Sequence, residues 1–548
     1  ALAKAGSQTF LAGSVAASGK FLTDYCKKFN VDTSFVIENP SVETGHAIIQ
    51  VDTHGQNCIL LYSGANRTIT TEHIDRVFNN FTAGDYVLLQ NEINNIAYIM
   101  KKAKEKNIKI VFKRGISMQL HGSGRINSKG HLEIGGVDTC SLVDKYGSPL
   151  FVYDEGLIRD QCRRFHKVLS KSGLDYHISY ASKAFICKEL VRIMKEEDMG
   201  LDVVSVGELY NALSVDFDSQ KVHLHGNNKT EYEIGYALEK NIGCFVIDSL
   251  AELERLNRIG GQMGKRTKAL LRVTPGVEAH THEFITTGNT DSKFGLNIDN
   301  GQAREGVEAI LGAENIDLIG LHFHIGSQIF GTEGSQAAIK KVFVWLKDLK
   351  DDLAFEAKIL NIGGGFGIRY TDEDVSYPIE DALEEIITCL KESARSQGLA
   401  IPQLWLEPGR SIVGEAGYTL YRVGTIKEIP GVRTYVSIDG GMTDHIRTAL
   451  YGAKYEVALA NRMNEEDASL VTIAGKCCES GDLIAKDVRI PEAKIGDILV
   501  VACTGAYHYS MASNYNLMQK PAVVFVGDGK DKLVIKRESL EDLIKNQI

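Results

Sequence analysis

Between Phe151 and Glu407 the chain repeats one unit eight times: a short apolar run followed, in most repeats, by a stretch of helical periodicity. The runs occupy residues 177–182, 201–204, 222–225, 244–247, 269–273, 318–324, 358–362 and 403–407. Helical spacers include 249–259, 337–349 and 379–396, and the first opens on Ser249 with Glu252 three residues on, the spacing of a capping box. Eight strand-then-helix units over about 250 residues predict a TIM barrel, an α/β fold. A doubly wound open sheet is the competing arrangement.

Two other textures flank this stretch. Residues 1 to about 114 read as alternating strands (47–51, 58–62, 86–90, 108–112) and helices (71–79 and one ending near 105), an α/β pattern. After Arg410 come strands at 418–423, 434–438, 470–473, 498–502, 523–526 and 533–536 with little helix, an all-β pattern. Met118 stands where an independent protein would start, and 125–134 reads as a hairpin. The expected division is 1–117, an appended α/β segment; 118–152, strands joining the β domain; 153–410, the barrel; and 411–548, the β domain. The barrel is then an insertion in that domain.

In such a barrel the reacting groups sit at the carboxyl ends of the strands, on one rim. Taken in order those ends supply Lys183, Asp202 with Ser205, His225, Arg272, His324 with Ser327, the run Gly363-Gly364-Gly365-Phe366-Gly367, and Glu407 with Gly409 and Arg410. The glycines allow backbone N–H groups close to an anion, at the barrel's usual phosphate position. Lysine, histidine, glutamate and glycine turn together point to a phosphorylated carbonyl cofactor held as a lysine Schiff base, which is pyridoxal 5'-phosphate. Lys183 is the amine, His324 a partner for the ring face, Glu407 the group that keeps the ring nitrogen protonated, and Asp202 an orienting or structural acid.

The charge balance, −10 from 61 basic and 71 acidic residues, argues against a nucleic-acid partner. No apolar stretch approaches the ~20 residues of a membrane span, and residues 1–20 do not read as a signal peptide. Ten cysteines without metal or disulfide spacing fit reduced thiols in a cytoplasm.

The segments 180–184, 225–229, 292–295, 322–328, 361–367 and 407–410 resemble the fold type III pyridoxal phosphate decarboxylases. Cys478-Glu479-Ser480-Gly481-Asp482, Gly505-Ala506-Tyr507 and residues 510–516 are similar to the diaminopimelate decarboxylase family, over about 118–548. The resemblance implies decarboxylation of meso-2,6-diaminopimelate to L-lysine, the last step of lysine biosynthesis. It implies that Cys478 donates a proton, that Arg410, Arg447, Tyr451, Glu479 and Tyr507 contact substrate, and that Tyr507 also lies near the cofactor. It further implies a homodimer in which Cys478 and Glu479 reach the partner's site, and no metal. Val206 departs from a glycine common in relatives. Rival readings are a decarboxylase of ornithine, arginine or carboxynorspermidine, a racemase, a catalytically silent partner-binding homologue, and a bifunctional kinase–decarboxylase.

The short motifs 31–34, 44–45, 64–66 and 88–92 resemble a middle slice of the ribokinase-family sugar kinases, with Glu92 at a sugar-contact position. The Gly-Ala-Gly-Asp catalytic loop of that family is missing, so this segment is expected to be inactive as a kinase.

Overall fold

Period-two alternation governs how the repeated units close. The strands are β1 (Tyr176–Ala181), β2 (Gly200–Val203), β3 (Val222–Leu224), β4 (Cys244–Ile247), β5 (Thr267–Thr274), β6 (Ile316–His322), β7 (Ile359–Asn361) and β8 (Gln403–Leu406). One set of alternate residues, such as Leu201 and Val203 or Leu404 and Leu406, joins the large core shared with the helices. The other set, including Cys244, Val246, Leu270 and Trp405, forms a smaller core of its own inside the ring. Neighbouring strands pair in parallel from β1 to β8. β8 then returns to β1 through Tyr176↔Leu404 and Ile178↔Leu406. That last pairing closes the expected eight-stranded barrel and excludes the open sheet, in which the outer strands never meet.

The computed structural model describes residues 3, 6–51, 57–90, 93–113, 118–277, 292–374, 377–465 and 467–548. They fall into two compact units, Ala1–Ser117 and Met118–Ile548. In the second unit the strand Leu150–Asp154 lies between Gly417–Ile429, antiparallel, and Ala522–Gly527, parallel. Chain from before the barrel is thus sandwiched by chain from after it, in one nine-stranded sheet. The strand runs two residues past the expected boundary, so Tyr153 and Asp154 belong to the sheet. The hairpin Arg125–Ile126 with Leu132–Ile134 forms as read.

The capping box at Ser249 is only half made. Ser249 Oγ accepts from Glu252 N at 3.3 Å. The Glu252 carboxylate turns elsewhere, accepting from Asp248 N at 3.1 Å and Lys229 Nζ at 2.7 Å. Lys229 and Glu252 are both buried, and a buried ammonium without a carboxylate is far more costly than a cap lacking one bond.

The first unit pairs Thr9–Val15 with Val31–Glu38 in parallel, His46–Val51 with Asn57–Tyr62 antiparallel, and Tyr86–Gln90 with Lys109–Lys113 in parallel. The pair Thr9–Val15 and Val31–Glu38, and the helix Lys20–Lys27, were not anticipated. A small core of Ile69, Ile74, Phe78, Leu89, Ile99, Ala103 and Ile108 holds it. Glu92 lies outside the described residues. Among the described residues no helix is long and apolar enough to cross a membrane.

Candidate active site

The inward alternation that makes the barrel's inner core apolar at one end turns polar at the carboxyl ends of the strands. There it opens into a cavity of about 540 Å³. Lys183, Asp202, His225, Arg272, His324, Ser327, Gly364, Gly365, Glu407, Gly409, Arg410, Arg447, Tyr451 and Tyr507 line this cavity, while Ser205, Gly363, Gly367, Cys478 and Glu479 do not.

Lys183 sits in the 3-10 turn Ser182–Ala184 that ends β1. The turn is fastened from the β domain: Ala184 O accepts from Tyr507 N at 2.8 Å and Ser510 Oγ at 3.1 Å. Tyr507 itself adopts φ +62°, a left-handed conformation that is unfavourable for a bulky residue and recurs at functional sites.

Glu407, one residue past β8, is the hub of the polar rim. Its Oε1 accepts from Asn361 Nδ2 at 2.6 Å and lies 2.8 Å from His225 Nε2, while Oε2 lies 3.2 Å from His322 Nε2. Asp202 Oδ1 stands 3.7 Å from the same His225 nitrogen. Burial alone would neutralise Glu407, but His225 and His322 outweigh it and hold the carboxyl well below the usual range. Burial resists charge on His225 too, yet Asp202 and Glu407 together raise its pKa. Burial, reinforced by the Glu407 charge, holds Asp202 above the usual carboxylate range. His322 is pushed down to about 4 by burial, and His324 well below its ordinary value by burial and then by Lys183. Charge therefore concentrates on the Glu407–His225 pair, and His324 is a neutral ring. Glu208, whose carboxylate accepts from Val204 N at 2.7 Å, is raised to about 7, again mainly by burial.

The turn after β7 brings bare backbone to the opposite part of the rim. Gly365 has φ +99°, and a Cβ there would lie 2.4 Å from Gly326 O. A Cβ on Gly364 would lie 2.1 Å from Glu407 O. No side chain fits at either place, so the turn is a cradle only glycine can build. Ser327 and Gly409 line the cavity with it. A reactive amine, a neutral ring, a buried charged carboxylate and a glycine cradle together fit a flat, anionic carbonyl cofactor. His225, His322 and Glu407 also present ligand atoms within 4.8 Å of one another, the spacing of a metal site, but these atoms are engaged with each other.

The far end is cationic. Arg410 and Arg447 are both buried. The guanidinium carbon of Arg447 lies 4.9 Å from the Tyr451 ring centre and 5.5 Å from that of Tyr507. Their hydrogen-bond partners are hydroxyls: Ser327 Oγ at 2.9 Å and Tyr370 Oη for Arg410, and Tyr455 Oη at 2.9 Å for Arg447.

Cys478 and Glu479 are exposed, on a loop braced from beneath. Buried Asp482 accepts from Cys477 N at 2.7 Å and Met442 N at 2.6 Å, and Cys478 N donates to Asn516 Oδ1 at 2.9 Å. Gly441 and Gly475 leave room for that carboxylate: a Cβ would fall 2.4 and 2.2 Å from it. The loop is firmly built and presents Cys478 and Glu479 outward.

His322, Asn361, Tyr370 and Tyr455 were given no role from the sequence. His322 was findable, because His322-Phe323-His324 alternates and sends both histidines inward. Asn361 occupies the inward register of β7. Nothing local marks either tyrosine.

The family model described as pyridoxal-dependent decarboxylase, pyridoxal binding domain, matches residues 155–414. The pfkB family carbohydrate kinase model matches residues 1–119. The chain is 52% identical to the diaminopimelate decarboxylase of Bacillus subtilis over 428 residues, 78% of this chain and 98% of that one. It is 54% identical to that of Staphylococcus aureus over 423 residues, 77% and 99% of the respective chains. Among solved structures, the diaminopimelate decarboxylase of M. jannaschii in complex with L-lysine matches with a TM-score of 0.74 at 34% identity, covering 78% of this chain and 99% of that one.

Proposed function

The chain belongs to the diaminopimelate decarboxylase family, and from that premise we propose how its residues divide the work. The reaction converts meso-2,6-diaminopimelate to L-lysine and CO2, the last step of lysine biosynthesis, with pyridoxal 5'-phosphate as cofactor. When bound, the cofactor supplies a sink for the electron pair released as the C–CO2 bond breaks.

Lys183 would hold the cofactor through its side-chain amine. Glu407, kept ionised by His225 and His322, would hold the cofactor's ring nitrogen and favour its protonated form. His225 and Asp202 stabilise this charge arrangement, and His324, neutral, serves the ring face. Gly364, Gly365, Gly409, Ser327 and Arg410 would hold the phosphate. Arg447, Tyr451 and Tyr507, with Arg410 behind them, bind the substrate's distal carboxylate, for which fixed guanidinium groups are suited.

One group is missing from this inventory, a proton donor for the carbon that has lost CO2. In our reading it is Cys478 of the partner subunit, with Glu479 of the partner subunit accepting from the distal ammonium. The observation that supports this is the braced loop, which exposes both residues away from their own chain's cavity. The active form is therefore a homodimer with shared sites. The free state of the described cysteines agrees with a cytoplasmic setting. Residues 1–117 take no part in this chemistry and transfer no phosphoryl group.

Mixing tests the sharing. Lys183→Ala and Cys478→Ala should each be inactive in a CO2-release assay with diaminopimelate. After co-refolding, mixed dimers hold one intact site, and about a quarter of wild-type activity should return. No recovery with mixed dimers present would refute the shared site. Wild-type release of CO2 from ornithine or arginine but not diaminopimelate would refute the substrate.

A further inference from the structure

The two arginines at the far end of the cavity are held by tyrosines that do not line it. Tyr370 Oη accepts from Arg410, and Tyr455 Oη accepts from Arg447 at 2.9 Å. The tyrosine rings meet edge to face, centroids 5.2 Å apart at 83°. A continuous chain thus runs Arg410–Tyr370–Tyr455–Arg447. On the cavity side Tyr507 closes it, its ring centre 4.9 Å from the guanidinium carbon of Arg410 and 5.5 Å from that of Arg447.

Each tyrosine is anchored from a different side. Tyr370 lies in the loop after the glycine turn, where Asp374 accepts from the backbone N–H of Tyr370 at 2.8 Å and of Thr371 at 2.9 Å. Tyr455 comes from the β domain, buried against His445 (4.6 Å, 76°) and His508 (5.1 Å, 82°). Burial pushes His445 down to about 3 and His508 well below its ordinary value, so neither adds a charge beside Arg447.

Two guanidinium groups over one ring repel each other, and a flexible pair would splay. The partners described above are neutral hydroxyls and ring faces, which fix position without consuming charge, leaving both cations available to an anion. We infer that Tyr370 and Tyr455 form a spacer that sets the separation of Arg410 and Arg447, and through it the site's demand for a substrate with a carboxylate at its far end. They are positioning residues, and the inference rests on the roles proposed above for the two arginines.

Tyr370→Phe and Tyr455→Phe keep each ring and delete one acceptor. In the cofactor-loaded full chain each should raise KM for diaminopimelate about tenfold, with kcat within about twofold and the absorbance of bound cofactor unchanged. The double variant should lose less than the product of the two, because both act on one spacing. Calorimetric titration adds a readout independent of turnover. Wild type should bind pimelate, the substrate skeleton without its amines, more tightly than heptanoate, and each variant should lose that preference. Unchanged KM in both single variants, a fall in kcat with loss of cofactor absorbance, or no preference for pimelate in wild type would overturn the spacer. A wild type that prefers pimelate, with the preference lost in the variants, yet releases no CO2 from diaminopimelate would refute the functional reading and uphold the spacer.

Discussion

The Glu407 rim and the Cys478 loop are both rigid, but they are rigid in opposite ways. At the rim, both oxygens of the central carboxylate are held by groups of the same chain, with acceptor capacity left on Oε2, and burial strengthens each interaction. At the loop, the buried carboxylate of Asp482 faces inward and secures the backbone, while Cys478 and Glu479 are left in the open. One region is a finished electrostatic device. The other is a mount. The shared site proposed above would need both kinds, because the half that holds the cofactor must be complete before association and the half that is delivered must keep its shape while exposed.

The strongest challenge to this contrast is Glu407→Gln. Removing the charge strands His225 and ends the demand for a protonated ring nitrogen. CO2 release should fall about a hundredfold while cofactor remains bound, as followed by its absorbance. A loss under about threefold would mean that the rim is not the electrostatic centre.

A smaller effect is expected at the mount. Asp482→Asn replaces one acceptor oxygen with a donor facing backbone N–H, so the loop should loosen without leaving the interface. We expect kcat to drop about tenfold with the dimer intact by sedimentation. Unaltered kcat would show that the loop holds its shape without Asp482.

The mildest test separates the regions by pH. Burial holds His121, His177 and His322 at about 4 and His445 at about 3, against 6.5 for a free histidine. Between 6.5 and 4 the unfolded chain takes up protons that the folded chain refuses, so stability falls as pH falls through that window. Asp444, raised to about 6, and Glu208, raised to about 7, act the other way: the folded state keeps their protons, and that contribution is lost as pH rises through those values. His73, His166, His223, His324 and His508 are held down as well, and Asp202, His225, Glu252, Glu415, Glu456 and Asp482 are held up. The depressed histidines only narrowly outnumber the opposing groups, so Tm should drop by a few degrees between about pH 7 and pH 5. A Tm that is flat or rises toward pH 5 would contradict the assignment of these buried groups.

Much of the barrel rim was legible because period two is unforgiving. A polar residue in the inward register of an otherwise apolar strand end, such as Asp202, Arg272 or Glu407, has to be explained by chemistry. The Cys478 loop was singled out only through resemblance, since an exposed cysteine has no physical signature of its own. Glu252 shows a limit of another kind: its spacing from Ser249 satisfies a capping pattern, and nothing local announces that Lys229 will claim the carboxylate. Tyr370 and Tyr455 join across two domains, and their meeting is a property of the fold rather than of any segment. The strand Thr9–Val15, with small residues and glycine in its middle, has too weak an alternation to stand out.

The insertion of the barrel within one sheet also has a consequence for how the protein is made. The strand Leu150–Asp154 has all five residues buried, yet its two neighbours are Gly417–Ile429 and Ala522–Gly527. On the ribosome it emerges long before either neighbour exists, and the sheet is assembled only once Ala522–Gly527 has been made. A chain interrupted before residue 522 exposes an apolar strand with an unpaired edge, a template for aggregation. For this protein the strand Ala522–Gly527 decides whether Leu150–Asp154 is an asset or a hazard.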